Sequence, residues 1–270
     1  MGLSSPRIAL VDADLWSYDC AFAAQRKLEE GEIDILPFTY AQNIVDERLT
    51  SILNKTGCTE YEFYLTGRNN FRFDVATIAP YKGNRKQPKP YHYANLRSYL
   101  EFQYGAVVVD GIEADDMLAI RQTEEGDNSC IVSRDKDLRM VKGWHYGYPV
   151  GNQLEQPLEH VDSLGYIRLN RKGKLKGAGM RWFFAQCLMG DRTDNIVGVP
   201  RLADIKAFNI LKECTNETEL YEKTIEAYTN YYDDEEAAYD TFCENATLLW
   251  MITERNEDGS YKMWEDRWKI

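Results

Sequence analysis

The sequence predicts an α/β fold with a largely parallel sheet, and three observations carry that expectation. Short apolar runs of strand length recur, several ending in a charged residue: RIALVD (7–12), YEFYL (61–65), AVVVD (106–110) and CIVSR (130–134). Stretches of helical spacing lie between them, which is the alternation of a parallel sheet with crossover helices. Beyond Trp144 the pattern changes, and from Met180 onwards nearly everything reads as helix.

Taken in order, 7–12 is a buried strand with an acid at its end. From Thr39 to Asn54 the apolar positions Ile44, Val45, Leu49, Ile52 and Leu53 follow helical spacing. The strand 61–65 precedes a Pro- and Lys-rich loop near 80–90, and a helix follows over Tyr91–Tyr104. Strand 106–110, helix Ala114–Glu124 and strand 130–134 complete the α/β part. GYIRLNRKGKLKG (165–177) reads as a hairpin turning at Arg171-Lys172-Gly173. The expected organisation is an α/β core over 1–178, with a short arch near 82–104 and a basic hairpin near 165–177. A helical subdomain over 179–270 follows, with no flexible linker, internal repeat or low-complexity tract.

Composition narrows the function classes. With 44% hydrophobic and 28% charged residues in a chain of 270, a disordered or fibrous protein is excluded. No apolar run approaches the roughly 20 residues needed to span a bilayer. The Met1–Pro6 run shows neither an apolar signal core nor an acylation signal. Cys20, Cys58, Cys130, Cys187, Cys214 and Cys243 are widely spaced, so reduced, mostly buried thiols and a cytoplasmic protein are expected.

A net charge of −12 speaks against a nucleic-acid partner until its distribution is considered. Between Glu213 and Glu244 stand eleven acids and one lysine, so most of the excess is local. Two windows hold no acid. Val75–Leu100 carries Lys82, Arg85, Lys86, Lys89 and Arg97, and Ser163–Gly190 carries Arg168, Arg171, Lys172, Lys174, Lys176 and Arg181. Together they suggest two banks of a groove for an anionic substrate.

The acids that matter fall at strand ends or helix starts, positions that converge on one crevice in an open α/β sheet. Asp12 ends the first strand. Glu113, Asp115 and Asp116 follow the third in GIEADD, Asp135 and Asp137 follow the fourth in SRDKD, and Asp191 and Asp194 lie in MGDRTDN. Any one pair alone reads better as helix capping, but four groups at equivalent places favour a shared site. So many ionised carboxylates need cations. An all-oxygen set selects Mg²⁺ or Mn²⁺, and two such ions roughly 4 Å apart suit a phosphodiester displacement.

The motifs FR…YKGNR (71–72 and 81–85), GIEADDM (111–117), SRDKDL (133–138) and MGDRTDNIVGVP (189–200) resemble, in order, those of the 5′ nuclease superfamily. That group comprises flap endonucleases, phage 5′→3′ exonucleases and polymerase I 5′ nucleases, and the phage-encoded exonucleases are the most alike. The resemblance covers about residues 7–212. It implies a PIN-like α/β fold, a helix-three-turn-helix element and Mg²⁺-dependent cleavage near DNA 5′ ends. It also implies that Asp12, Glu113, Asp115, Asp135, Asp137, Asp191 and Asp194 are metal ligands, with Asp116 and Thr66 behind them. Lys82 and Arg85 would then hold the scissile phosphate, Tyr81 would meet a terminal base, and Arg72, Lys172 and Lys174 would contact DNA.

Three features set the chain apart from that pattern. LTGRNN (65–70) has no acid where many members carry one, leaving Thr66 with a neutral oxygen. Arg201-Leu202-Ala203 replaces a Gly-x-Gly hairpin, so duplex contact would fall to Arg201 and Lys206. Only 31 residues separate Tyr81 from Glu113, enough for a short arch. The acidic segment 213–244 is a solvated face or a docking surface for a protein partner. The expected protein is a monomeric 5′→3′ exodeoxyribonuclease with flap-cleaving ability, acting in the cytoplasm (a host's, if phage-encoded). The alternatives are a PIN-like ribonuclease and a catalytically weakened DNA-end-binding protein.

Overall fold

The computed structural model describes residues 5–29 and 31–267, so the Met1–Ser4 run lies outside the described residues. In chain order the first elements are β1 (Ile8–Asp12), α1 (Ala13–Ala23), β2 (Gln25–Lys27), β3 (Ile33–Ile35), α2 (Phe38–Thr56) and β4 (Glu60–Thr66). Next come α3 (Arg72–Val75), α4 (Tyr93–Tyr104), β5 (Val107–Val109), α5 (Ala114–Glu125), β6 (Ser129–Val132), β7 (Gly143–Gly147) and β8 (Gln156–Val161). The rest are β9 (Tyr166–Leu169), β10 (Leu175–Ala178), α6 (Gly179–Met189), α7 (Asp204–Leu211), α8 (Glu217–Thr229), α9 (Glu235–Leu249) and α10 (Trp264–Arg267).

The chain divides into two compact units. The first comprises everything up to Arg68, Gln87–Arg134 and Gly143–His160; the second comprises Asn69–Lys86, Asp135–Lys142 and everything from Val161. This differs from a cut at 178/179. Two short segments of the α/β half pack with the helices, because Arg72 donates to the carbonyls of Leu248 and Trp250 and the Trp182 indole donates to that of Lys136.

The first unit holds a six-stranded sheet in the order β5-β4-β1-β6-β7-β8. The pairs β1–β4, β1–β6, β4–β5 and β6–β7 are all parallel, so the expected largely parallel sheet is present. Central β1 is buried along its whole length, as a strand flanked on both edges and covered on both faces must be. Its register sets Asp12 opposite Tyr64 and Val11 opposite Val132, which gathers the carboxyl ends of β1, β4 and β6 along one edge. Trp16, wholly buried, packs edge-on against Phe63 and Tyr148 at the centre of this core. Burying each such side chain stabilises the fold by about 1.5–3 kcal/mol.

α1 begins where Asp12 caps it, its carboxylate accepting from the Leu15 amide at 3.0 Å. Residues 87–92 form no helix, as Pro88 and Pro90 dictate, and α4 starts only at Tyr93. Six elements have no counterpart in the sequence reading: α1, β2, β3, α3, β7 and β8. β2 and β3 are exposed three-residue strands without alternation.

In the second unit, β9 and β10 form the expected antiparallel hairpin. Helices α6 to α10 gather around an aromatic core in which Phe183 meets Trp250 and Trp264, and Trp264 meets Phe242. α8 and α9, carrying most of the acidic segment, are capped by Asn216 and Asp234 and bury Leu220, Tyr228 and Phe242. The charge there lies on the outer faces of ordinary amphipathic helices.

Candidate functional site

In the first unit the acids sit where the parallel register puts them. Asp12 is 2% exposed, and its second carboxylate oxygen accepts from the Ser133 hydroxyl at 2.7 Å. Glu113 caps α5 and forms a capping box with Asp116, whose carboxylate accepts from the Glu113 amide at 3.1 Å. Asp116 is wholly buried and Asp115 half-buried in the first turn of α5. Capping is therefore real at Asp12, Glu113 and Asp116, and it orients the carboxylates at the sheet edge.

Thr66 ends β4 among these acids. Its hydroxyl accepts from the Ala114 amide at 2.8 Å, and its own amide donates to Asp14 at 2.9 Å. Arg97 completes the cluster by pairing with Asp14 and donating to the Thr66 carbonyl at 2.6 Å. Asp14 and Arg97 were not singled out as site residues. The Asp-x-Asp spacing at 12/14 was the available signal for the first, whereas Arg97 joins through tertiary packing alone.

The second unit carries the other acids and their counter-charges. Asp135 and Asp137 follow β6, and the Asp137 amide donates to Asp135 at 2.8 Å. Burial pushes both carboxyls above the usual range; the Asp194 charge adds to this at Asp135, and the Asp135 and Asp191 charges add to it at Asp137. Lys136 answers this, its ammonium bridging Asp137 at 2.9 Å and Asp191. Against the cost of its own burial, Asp191 is held below the usual range by that ammonium and by the Thr193 amide at 2.7 Å. Asp194 gathers the Tyr81 hydroxyl at 3.1 Å, the Arg85 guanidinium at 2.5 Å and the Lys82 ammonium at 3.9 Å.

The loop bearing Asp191 and Asp194 depends on close backbone approach. At Gly198, φ is +63° and a Cβ would lie 2.2 Å from the Gly190 nitrogen, so glycine is required. Lys82 is left-handed too (φ +55°), a strain of about 1–3 kcal/mol offset by neighbours such as the Asp194 carbonyl, which accepts its amide at 2.9 Å. Arg201, where a Gly-x-Gly was missing, adopts φ +62°, so the turn keeps a glycine-like backbone under an arginine side chain. Lys206 donates to the Arg201 carbonyl at 3.1 Å, and Lys174 pairs with Asp204 at 3.1 Å. Lys172 stands exposed at the hairpin turn.

Two expectations are corrected. Arg72 is wholly buried, its guanidinium spent on the Leu248 and Trp250 carbonyls, so it cannot contact DNA. Tyr81 is 4% exposed and offers no free face to a base; its hydroxyl is turned to Asp194 and its ring meets Phe73 at 5.5 Å.

Among the described residues, no three His, Cys, Asp or Glu side chains converge as a ready metal cage. The donor chemistry nonetheless fits a hard cation. Every candidate ligand is an oxygen, a lysine ammonium already bridges Asp137 and Asp191, and the buried Gln186 Oε1 beside Asp137 has no hydrogen-bond partner. Lys136, Gln186 and Asp191 line an open cavity of about 930 Å³ together with Lys174, Lys176 and Arg201.

The fold is similar to those of solved phage T5 5′-exonuclease and flap endonuclease structures and of the Rad2 catalytic core. Its solved neighbours include a bacteriophage T5 flap endonuclease in a pseudo-enzyme–product complex with DNA and metal ions. That structure shows 18% identity and a TM-score of 0.57 over 90% of this chain and 89% of the other. The catalytic core of Rad2 with a DNA substrate aligns at 13% identity, with a TM-score of 0.51 over 96% and 82%. Among curated proteins, the DNA polymerase I of Bacillus caldotenax is 27% identical over 181 residues, and that of Geobacillus stearothermophilus 28% over 176. Each match covers 61% of this chain and 19% of the relative, so the chain spans about a fifth of those polymerases' length. No family model matches the sequence.

Proposed function

We propose that this protein is a divalent-metal-dependent 5′ nuclease that hydrolyses phosphodiesters near DNA 5′ ends, exonucleolytically and at flaps. The observation that carries this reading is the array in the second unit: four aspartates interleaved with Lys82, Arg85 and Lys136, two of the aspartates on a loop held by glycine contacts. Such an array neutralises phosphate charge as readily as carboxylate charge. Asp12, Glu113, Asp115, Asp135, Asp137, Asp191 and Asp194 are assigned to holding Mg²⁺ or Mn²⁺, two ions being the expected number. When bound, those ions would activate water and screen the phosphate.

The chain's own residues do the rest. Lys82, aimed by its constrained backbone, and Arg85 exchange Asp194 for a phosphate oxygen and stabilise charge developing there. Lys136 screens Asp137 and Asp191 from each other's charge. Asp116 and Thr66 hold the start of α5, and so the direction of Glu113. Arg201, Lys206, Lys172 and Lys174 are assigned to the phosphates of the duplex. The protein is taken to act as a monomer in the cytoplasm, with 213–244 available to a protein partner; no helix among the described residues is long and apolar enough to cross a membrane.

The test is cleavage of end-labelled recessed, flapped and blunt duplexes with Mg²⁺ against a chelator control, with RNA in parallel. Mg²⁺-dependent cutting of DNA from the 5′ end supports the proposal, and preference for RNA overturns it. Tight DNA binding without turnover in any divalent ion would favour an end-binding protein, the reading that Thr66 in place of an acid supports.

A further inference from the structure

Segment 71–81 is fastened at three points, yet presents a large aromatic ring to solvent. Arg72 ties its start to the Leu248 and Trp250 carbonyls. At its middle, Glu244 accepts from the Thr77 and Ile78 amides at 2.9 and 2.8 Å and from the Thr77 hydroxyl. At its end the Tyr81 hydroxyl donates to Asp194. Between these anchors Phe73 is 59% exposed and Ile78 46% exposed. An isolated exposed apolar residue needs no explanation, but this one sits in an anchored segment against the ring of Tyr81, which Lys82 approaches.

Its ring meets that of Tyr81 edge-on, with 5.5 Å between centroids and 76° between planes. The Lys82 ammonium lies 4.8 Å from the Tyr81 centroid, and Arg85 pairs with the same aspartate that Tyr81 does. An exposed π-face backed by a ring that an ammonium approaches, and whose hydroxyl shares an aspartate with a guanidinium, matches a ligand that carries a flat apolar ring near an anionic phosphate. That is an unpaired nucleotide. The buried Tyr81 has no face to give, so it serves as the backing of the exposed ring.

We propose that Phe73 is a stacking platform for an unpaired nucleobase whose adjoining phosphate is gripped by Lys82 and Arg85. This rests on the nuclease reading of the same loop. A pre-fixed ring loses little freedom on binding, which makes stacking effective, and the contact is sequence-tolerant because every base has a π-face. Glu244, in the otherwise unassigned acidic segment, is then the positioning residue that fixes the platform's far side.

The test compares wild type with Phe73→Ala and Phe73→Trp, using 5′-tailed duplex bearing 2-aminopurine as the first unpaired base, in Ca²⁺ buffer for binding and Mg²⁺ for turnover. The expected result for Phe73→Ala is roughly 5- to 100-fold weaker binding of tailed duplex, recovery of 2-aminopurine fluorescence and a KM effect exceeding the kcat effect. Blunt duplex should be affected far less, and Phe73→Trp should restore tailed binding. Unchanged affinity and fluorescence in Phe73→Ala, with wild type cutting normally, overturn the platform alone. If wild type neither binds nor cuts DNA, the platform and the nuclease reading both fall. Loss of self-association on removing the ring, with DNA binding intact, would assign this face to a second copy and likewise overturn the platform.

Discussion

Lys82 illustrates how a single residue concentrates strain, charge and position. Its left-handed backbone is costly for a side-chain-bearing residue, and it persists because surrounding contacts, the Asp194 carbonyl among them, over-determine it. If the ammonium acts on charge that develops in the transition state, Lys82→Ala should lower kcat by about 10²–10³ with a much smaller effect on DNA binding. Steady-state kinetics decide this, since a loss confined to KM would make Lys82 a phosphate anchor. Asp135 tests the opposite sign. It is a half-buried carboxylate whose charged form is disfavoured by desolvation and by the neighbouring Asp194 charge. Asp135→Asn should abolish turnover while metal-free Tm holds or rises by a few degrees, since a like charge is removed. A folded variant with wild-type turnover would take Asp135 out of the site.

At the scale of elements, α5 is the piece on which the first unit's acids depend. Its start is fixed by the Glu113–Asp116 capping box and by Thr66, and its body is tied to β4 by Arg121, which pairs with Glu62 at 2.9 Å and with Glu124 and Glu125. Hydrogen bonds from Arg121, opposed by partial burial, hold the Glu62 carboxyl below its usual range. A depressed folded-state pKa adds stability that is present above the ordinary carboxylate pKa and lost as pH falls through the folded value. Glu62→Gln should therefore cost about 0.5–1 kcal/mol at pH 7, in keeping with its solvent-screened pairing, and progressively less as pH falls below the ordinary carboxylate range. Thermal melts of both proteins from pH 3 to 8 should converge on the acid side; parallel curves would remove Glu62 from the account.

For the whole molecule the chief quantity is how little helix separates Tyr81 from Glu113. Residues 87–90 are kept out of the helix by their prolines, 91–92 form a turn, and α4 runs only from Tyr93 to Tyr104. A segment this short gives little enclosure to a threaded strand. Recessed and blunt 5′ ends should be processed at least as fast as flaps, and a bulky group on a long flap should impede cutting only modestly. A rate comparison across blunt, nicked, free-flap and blocked-flap duplexes at fixed Mg²⁺ and salt checks this. Flaps cut far faster than all other ends, with blocking abolishing cutting, would overturn it.

The sequence by itself determined the parallel sheet, because four apolar runs separated by helical spacing have few other ways to bury both faces. It also marked the strand-end acids, since Asp12, Glu113 and Asp137 stand where a strand stops and a helix or turn must be capped. The β9–β10 hairpin and the break before α4 were legible from local chemistry at Gly173 and at the prolines. Tertiary structure alone decided the rest. Arg72 reads as a free cation until its guanidinium is seen buried against two carbonyls far along the chain, and Tyr81 reads as a stacking ring until Phe73 covers it. Lys136 is one more lysine in the sequence; only folding sets Asp191 within reach of its ammonium. Strand-end position and backbone breaks are set by neighbours in sequence, whereas exposure and charge pairing are set by side-chain contacts, whether the partner stands 8 positions away, as Phe73 does from Tyr81, or 178, as Trp250 does from Arg72. Local pattern carries no record of which of those will arrive.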